Sequence, residues 1–343
     1  MRLSIFVSVF LISGRLFAGG FEQGPSISAQ WNSANHPGVF FSQFETKLSE
    51  MGDNGRIAKT FWSSDYWPRF MGGIAFRWQT YETPKDYQLY LAREVRKLSP
   101  IELDELSPAE KFDLLENDYD FSFTKKVIRQ NPASAPGWQG ICHGWAEANL
   151  HVDLFSGKTL RNKSGIEIPF RQADIAALIS YYYAFERRGR VSFLGKRCFR
   201  DDSNHTSCED VNPGALHIAL YESMRRQMPL IADVDAEAAV WNHPIKSYRY
   251  ELKEQRGPSK DSAPGTQSEV RVTNTLEIVT ESSPSHYELE EILDTIKLEY
   301  WLELDDTGNI LGGSWVGESQ LDFLWFRKKL KIPSRYFQLI SDT

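Results

Sequence analysis

The spacing of apolar and polar positions changes near residue 229. Before it, the chain reads as an irregular start followed by helices. Residues 20–80 are rich in Gly, Ser and Trp and hold no sustained period, with Trp67-Pro68 and Gly72-Gly73 marking turns or close backbone approach. Residues 86–98 have helical periodicity. Ser107-Pro108-Ala109-Glu110 predicts a sharp helix start, with Ser as N-cap, Pro in the first helical position and Glu reaching back, and the helix should run to about Glu116. Residues 132–136 form a loop, and 146–154 and 171–186 read as helices, the second with Tyr181-Tyr182-Tyr183 partly buried. Asn212-Pro213-Gly214 opens another helix that ends near Gln227. From residue 229 onward, β-branched and aromatic residues alternate with polar ones at 229–235, 240–252, 270–280, 298–305 and 309–312, which predicts strands. Asp306-Thr307-Gly308-Asn309 reads as a hairpin turn and 253–268 as an exposed linker. Helices first and strands afterwards, with no internal repeat, is an α+β order.

Length and charge narrow the function. A chain of 343 residues makes one large domain or two packed ones. The organisation expected is a leader at 1–18, an N-terminal layer at 19–100, a helical half at 101–228 and a β-rich half at 229–343. The leader has a basic Arg2, an apolar run from 5 to 12 and small residues after Phe17, which predicts export and a secreted or periplasmic protein. No other stretch approaches 18 apolar residues, so no membrane partner is expected. A net charge of −7 argues against a nucleic-acid partner. Of three cysteines, Cys198 and Cys208 bracket the polar loop 199–207, a candidate disulfide worth about 2–3 kcal/mol. Cys142 is left over.

The chemistry centres on Trp138-Gln139-Gly140-Ile141-Cys142-His143-Gly144-Trp145-Ala146. A nucleophilic cysteine acts as its thiolate, and a loop entering a helix supplies the positive end of the helix dipole to hold that charge. Gly140 and Gly144 let backbone approach a substrate carbonyl, whose oxyanion free N–H groups would hold. A base is needed, from His36, His143, His151, His205, His217, His243 and His286. His143 adjoins Cys142 and diverges from it. His243 has the best setting, at the start of a strand after the cysteine helix, with His286 and His217 as alternatives. A third residue should orient the base, for which Asp305, Glu318 and Asp322 are candidates. Trp138, Trp145 and Trp241 could wall a groove that excludes water. Asp233 and Asp235 alternate on a strand, which is weak support for calcium, so no cofactor or metal is expected. Asn162 and Asn204 stand in glycosylation acceptor triplets.

Several segments resemble the oomycete transglutaminase elicitor family and its bacterial relatives. They are Trp67-Pro68 with Gly72-Gly73-Ile74-Ala75 and Trp78, Leu106-Ser107-Pro108-Ala109-Glu110-Lys111, and the Cys142 motif. The matches continue through Asp210-Val211-Asn212-Pro213-Gly214 and Leu302-Glu303-Leu304-Asp305 to Gly312-Gly313-Ser314-Trp315. The most specific, Val240-Trp241-Asn242-His243-Pro244 continuing to Glu251, resembles the thirteen-residue elicitor peptide that plants perceive. The resemblance implies a papain-like acyl transfer. Cys142 would attack a glutamine carboxamide, ammonia would leave, and a lysine amine would resolve the thioester, so the implied partners are proteins carrying glutamine and lysine. The family's elicitor segment has Gln where this chain has His243. Its C-terminal His-Pro-Asp-Phe is here Gln320-Leu321-Asp322-Phe323, followed by Trp325. Either His243 serves as base in exchange, or the site is impaired.

Three functions therefore stand at the level of sequence. The leading one is an exported transglutaminase with Cys142, His243 and Asp305 as catalytic residues and Trp138, Gly140, His143, Trp145 and Trp241 at the substrate. The second is a cysteine hydrolase, peptidase or glutamine deamidase, on the same sulfur. The third is a catalytically silent binding module.

Overall fold

In the computed structural model, the described residues are 32–196, 210–234, 239–317 and 320–341. The expected leader, the Cys198–Cys208 pairing, His205, Asn204, Asp235 and Glu318 lie outside them. The strands in chain order are β1 (Asn54–Arg56), β2 (Lys158–Arg161), β3 (Glu167–Phe170), β4 (Val191–Gly195), β5 (Ile231–Asp233), β6 (Asn242–Arg256), β7 (Ser268–Val279), β8 (Leu293–Leu304), β9 (Ile310–Trp315) and β10 (Phe323–Arg327). The helices are α1 (Ala92–Val95), α2 (Pro100–Glu105), α3 (Pro108–Leu115), α4 (Ser122–Gln130), α5 (Cys142–His151), α6 (Gln172–Tyr181), α7 (Pro213–Arg225) and α8 (Ser334–Ile340).

Helices pack against one antiparallel sheet, in the order β4-β10-β5-β6-β7-β8-β9, so the α+β class expected from the pattern holds. β5 pairs with residues 242–244 of β6, and β1 pairs with residues 247–249 farther along it. The sheet thus recruits β1 from the N-terminal layer and β4 from the helical half. β2 and β3 form a separate hairpin. The hydrophobic core is one contiguous cluster that runs from Phe41 to Leu339. Among the described residues no helix is long and apolar enough to cross a membrane.

Local signals explain most elements. Ser107 and Glu110 form the reciprocal cap of α3, with Ser107 Oγ accepting from the Glu110 N–H at 3.3 Å. Glu110 is wholly buried and takes two hydrogen bonds from Arg77, at 2.6 and 2.9 Å. The next residue, Lys111, meets Asp174 at 2.5 Å, and Asp174 also accepts from the Arg171 N–H at the start of α6. These buried pairs fasten the N-terminal layer, α3 and α6 together. Each ion compensates another, because an unpaired buried charge costs several kcal/mol.

Two expectations fail here. Only Ala92–Val95 of residues 86–98 is helical. Tyr87 is drawn onto the Arg77 guanidinium, 3.8 Å from its ring centre, and donates to the Ala75 carbonyl. That tertiary contact outweighs the weak local propensity. The linker also starts late, since β6 continues to Arg256. As for Asn162, its amide is buried and donates to the Leu114 carbonyl at 2.8 Å, so it is no acceptor for a glycan.

Candidate active site

The site forms where three chain directions meet: the N-terminus of α5, the N-terminus of β6 and the end of β7, with β10 alongside. α5 is buried at every position except His143 and packs between α6 and β6, so its first turn is held in place. Gly144 makes this packing possible, because a Cβ there would meet the Ser180 carbonyl of α6 at 2.2 Å. Its role is helix contact, not approach to substrate as the sequence had implied. Gly140 is constrained from the other side, where a Cβ would lie 2.2 Å from the Tyr66 carbonyl. That carbonyl accepts the Ile141 N–H at 2.6 Å and fixes the entry to α5. Nearby Trp67 is fully buried with φ 50°, a strained conformation for a bulky residue, held by its N–H bonding Asp65 at 2.6 Å.

Cys142 opens α5 and is 4% exposed. Ile141 stands at the N-cap and offers no side-chain cap, so the positive end of the helix is left to the sulfur. The thiol donates to the Val240 carbonyl at 3.6 Å, and the Asn242 side-chain amide donates to Sγ at 3.6 Å. Asn242 is held in turn by Trp325, whose indole N–H donates to Oδ1 at 2.7 Å. Burial raises the Cys142 thiol above its ordinary value. Hydrogen bonds from Asn242 and from the His143 backbone pull the other way, while the charge of Glu281 adds to the rise. Burial and a carboxylate thus favour the thiol, while two hydrogen-bond donors favour its anion.

His243 sits in the second position of β6, beside this sulfur's partner Asn242. Its Nδ1 lies 2.8 Å from the Val279 carbonyl, which can only accept, so Nδ1 carries a proton. Nε2 faces Glu281 Oε2 at 3.6 Å. The ring packs edge-on to Trp145, at 6.1 Å between centres. No hydrogen bond joins His243 to Cys142. Burial raises the Glu281 carboxyl and His243 opposes that rise. Glu281 thus acts on both the sulfur and the imidazole, and Asp65, raised to about 6 mainly by burial, adjoins it.

Asp305 is not brought to this group. β7 pairs with β8 so that Val279 faces Leu293 and Ser268 faces Leu304. Asp305 therefore lies beyond the far end of β7 from His243, roughly 35 Å away at about 3.3 Å per residue. Its carboxylate accepts from Thr307 and Asn309 and closes the β8–β9 turn. The carboxylate next to His243 is Glu281, in an unpatterned loop that gave no sequence signal. Among the described residues, three further candidate histidines lie elsewhere. His217 is buried against Tyr250 and bonded to the Tyr300 hydroxyl at 3.0 Å, His286 is exposed against Trp78, and His151 bonds the Arg327 carbonyl at 2.8 Å. Gln320 bonds the Gly317 carbonyl.

Above the sulfur opens a cleft of about 840 Å³, walled by Trp138, Phe185, Phe193, Phe323 and Trp325. Gly140, His143 and Asn242 also line it. His143 is kept neutral, its value lowered to about 4 by burial. Two of the expected groove residues are elsewhere. Trp145 is fully buried core, its N–H donating to the Trp62 carbonyl at 3.1 Å, and Trp241 packs on Tyr66 away from the cleft wall. The sequence named Asn242 and Trp325 without a role. Their signal was the Trp-Asn-x-Pro core and the apolar run of β10.

A search of curated proteins returned no match to this chain. The crystal structure of the GP42 transglutaminase from Phytophthora sojae has the same fold, with a TM-score of 0.64 at 20% identity, covering 92% of this chain and 97% of that one. A family model described as transglutaminase elicitor matches residues 111–334, more than half of the sequence, and the chain belongs to that family.

Proposed function

We propose that the protein is an exported transglutaminase that works through a thioester on Cys142. The observation that carries this reading is the position of the sulfur, at the open N-terminus of a buried helix, on the cleft, with the Asn242 amide directed at it. His243 acts as base through Nε2, and Glu281 rather than Asp305 stabilises the imidazolium that forms. A cysteine at a helix start and a histidine at a strand start is the papain-like order.

Activation requires the sulfur to turn from the Val240 carbonyl toward the imidazole. His243 then takes the thiol proton and the thiolate attacks the carbon of a glutamine side-chain amide. The N–H groups of the first turn and the Asn242 amide face the oxyanion. The C–N bond breaks, His243 returns its proton, and ammonia leaves. A lysine amine next attacks the thioester carbonyl and gives a proton to His243. The C–S bond breaks, the sulfur regains a proton, and an isopeptide bond remains. The aromatic wall supports amine over water as the acceptor by limiting hydration near the thioester.

The test is incorporation of a primary amine into a glutamine-containing protein, with ammonia recorded in parallel, for wild type and Cys142→Ala. Incorporation that falls at least about 10³-fold in the variant, with unchanged melting, is the expected result. Ammonia without incorporation would move the assignment to a deamidase. Silence in the folded wild-type protein would move it to a binding module.

A further inference from the structure

The cleft has a charge that the chain as a whole does not share. Among the described residues lining it, none is Asp or Glu, and three are arginines: Arg69, Arg129 and Arg327. The whole chain carries −7. Little on the protein side cancels these cations. Arg69 donates to the Gln130 carbonyl at 2.7 and 3.3 Å and to the Gln139 side-chain oxygen at 2.8 Å. Those acceptors are neutral, so they fix the guanidinium without neutralising it. Arg129 is exposed in the last turn of α4 and pairs with no carboxylate among the described residues. Arg327 meets Glu147 at 3.2 Å, but Arg187 meets the same carboxylate, which leaves one positive charge over from the three groups. The wall between these arginines is aromatic.

We propose that this cleft selects the acyl donor, and that the donor it takes is a glutamine in a segment carrying acidic and apolar residues. Carboxylates on the segment meet the guanidinium forks, whose planar geometry suits bidentate pairing. Its apolar side chains lie on the aromatic wall. The term donor rests on the transglutaminase reading, whereas the recognition rests on the charge and lining of the cleft alone.

The two can be tested separately with two glutamine peptides of equal length, identical except for Glu or Lys around the glutamine. Binding to the Cys142→Ala protein is followed by tryptophan fluorescence, since Trp138 and Trp325 stand in the wall. Incorporation of amine by wild type is followed as kcat/KM. The Glu peptide is expected to bind about tenfold more tightly than the Lys peptide at low salt, and to lose most of that advantage at about 0.5 M salt. Arg129→Glu should abolish most of the preference and Arg129→Lys, which keeps the charge but not the fork, should retain only part of it, with kcat/KM in the same order. Equal binding of the two peptides, or a preference that neither salt nor Arg129→Glu alters, overturns the proposal. Preferential binding with no labelling of any glutamine substrate upholds the cleft assignment and defeats the transferase reading. Labelling without preference does the opposite.

Discussion

Two buried helices, α3 and α5, begin in opposite ways. At α3 the start is closed by side chains: Ser107 and Glu110 cap each other, and Glu110 is closed off by Arg77. At α5 the N-cap is Ile141, no side chain caps the turn, and the first residue is a cysteine on a cleft. The same backbone end carries the same partial positive charge in both helices. In α3 it is spent on stability, and in α5 it is left for a ligand or an anion. α3 buries Asp113, raised to about 6 mainly by burial, whereas α5 carries His143 and His151, each lowered to about 4 mainly by desolvation.

The largest effect that would break this comparison is at α3. Glu110→Ala removes the carboxylate opposite Arg77 and leaves the guanidinium buried beside only the more distant Glu82, at 3.6 Å. A loss of about 3–5 kcal/mol in urea unfolding is expected. A loss below about 1 kcal/mol would mean that the ion pair does not hold the layer.

A smaller effect separates the two helices by pH. His151 has a folded value below its unfolded one, near 6.5, so between about pH 4 and 6.5 the unfolded chain binds a proton that the folded chain refuses. Its contribution to stability is present above pH 6.5 and is lost as pH falls. Asp113 has the reverse sign, since its raised value makes the folded chain hold the proton between about pH 4 and 6, and its contribution is lost as pH rises. Melting followed from pH 7 to 4 should decline for wild type, and His151→Gln should remove on the order of 2–3 kcal/mol of that decline. An acid limb unchanged by the substitution would show that His151 is protonated in the folded protein.

What could be read from the sequence was local, and what could not was set by strand pairing. The α3 cap lies within four consecutive residues and was plain. The Cys142 motif was legible because a glycine-flanked cysteine before a helical stretch is itself a local pattern. His243 stands at a strand start in pattern and structure alike, since Pro244 and the alternation after it announce β6. Its acidic neighbour was not found. Asp305 follows a well-patterned strand, yet antiparallel pairing sends it to the other end of the sheet, and Glu281 arrives only because β7 ends beside β6. The short strands β4 and β10 escaped notice for a related reason. Phe323-Leu324-Trp325-Phe326 is a continuous apolar run that becomes a strand through partners more than 80 residues away. Trp145 reads as a groove residue in the sequence because an aromatic next to a nucleophile has the same pattern whether it faces core or substrate.

The central claim is that the open start of α5 makes Cys142 an acyl carrier. The direct measurement is mass spectrometry of the Cys142 peptide after the protein has met a glutamine donor without amine, with rapid acid quenching. The account predicts a donor adduct on Cys142, with the mass of the donor less ammonia, that hydroxylamine releases. Ammonia release with no adduct on that peptide in a quench series, or the same rate of release from Cys142→Ala, would contradict it.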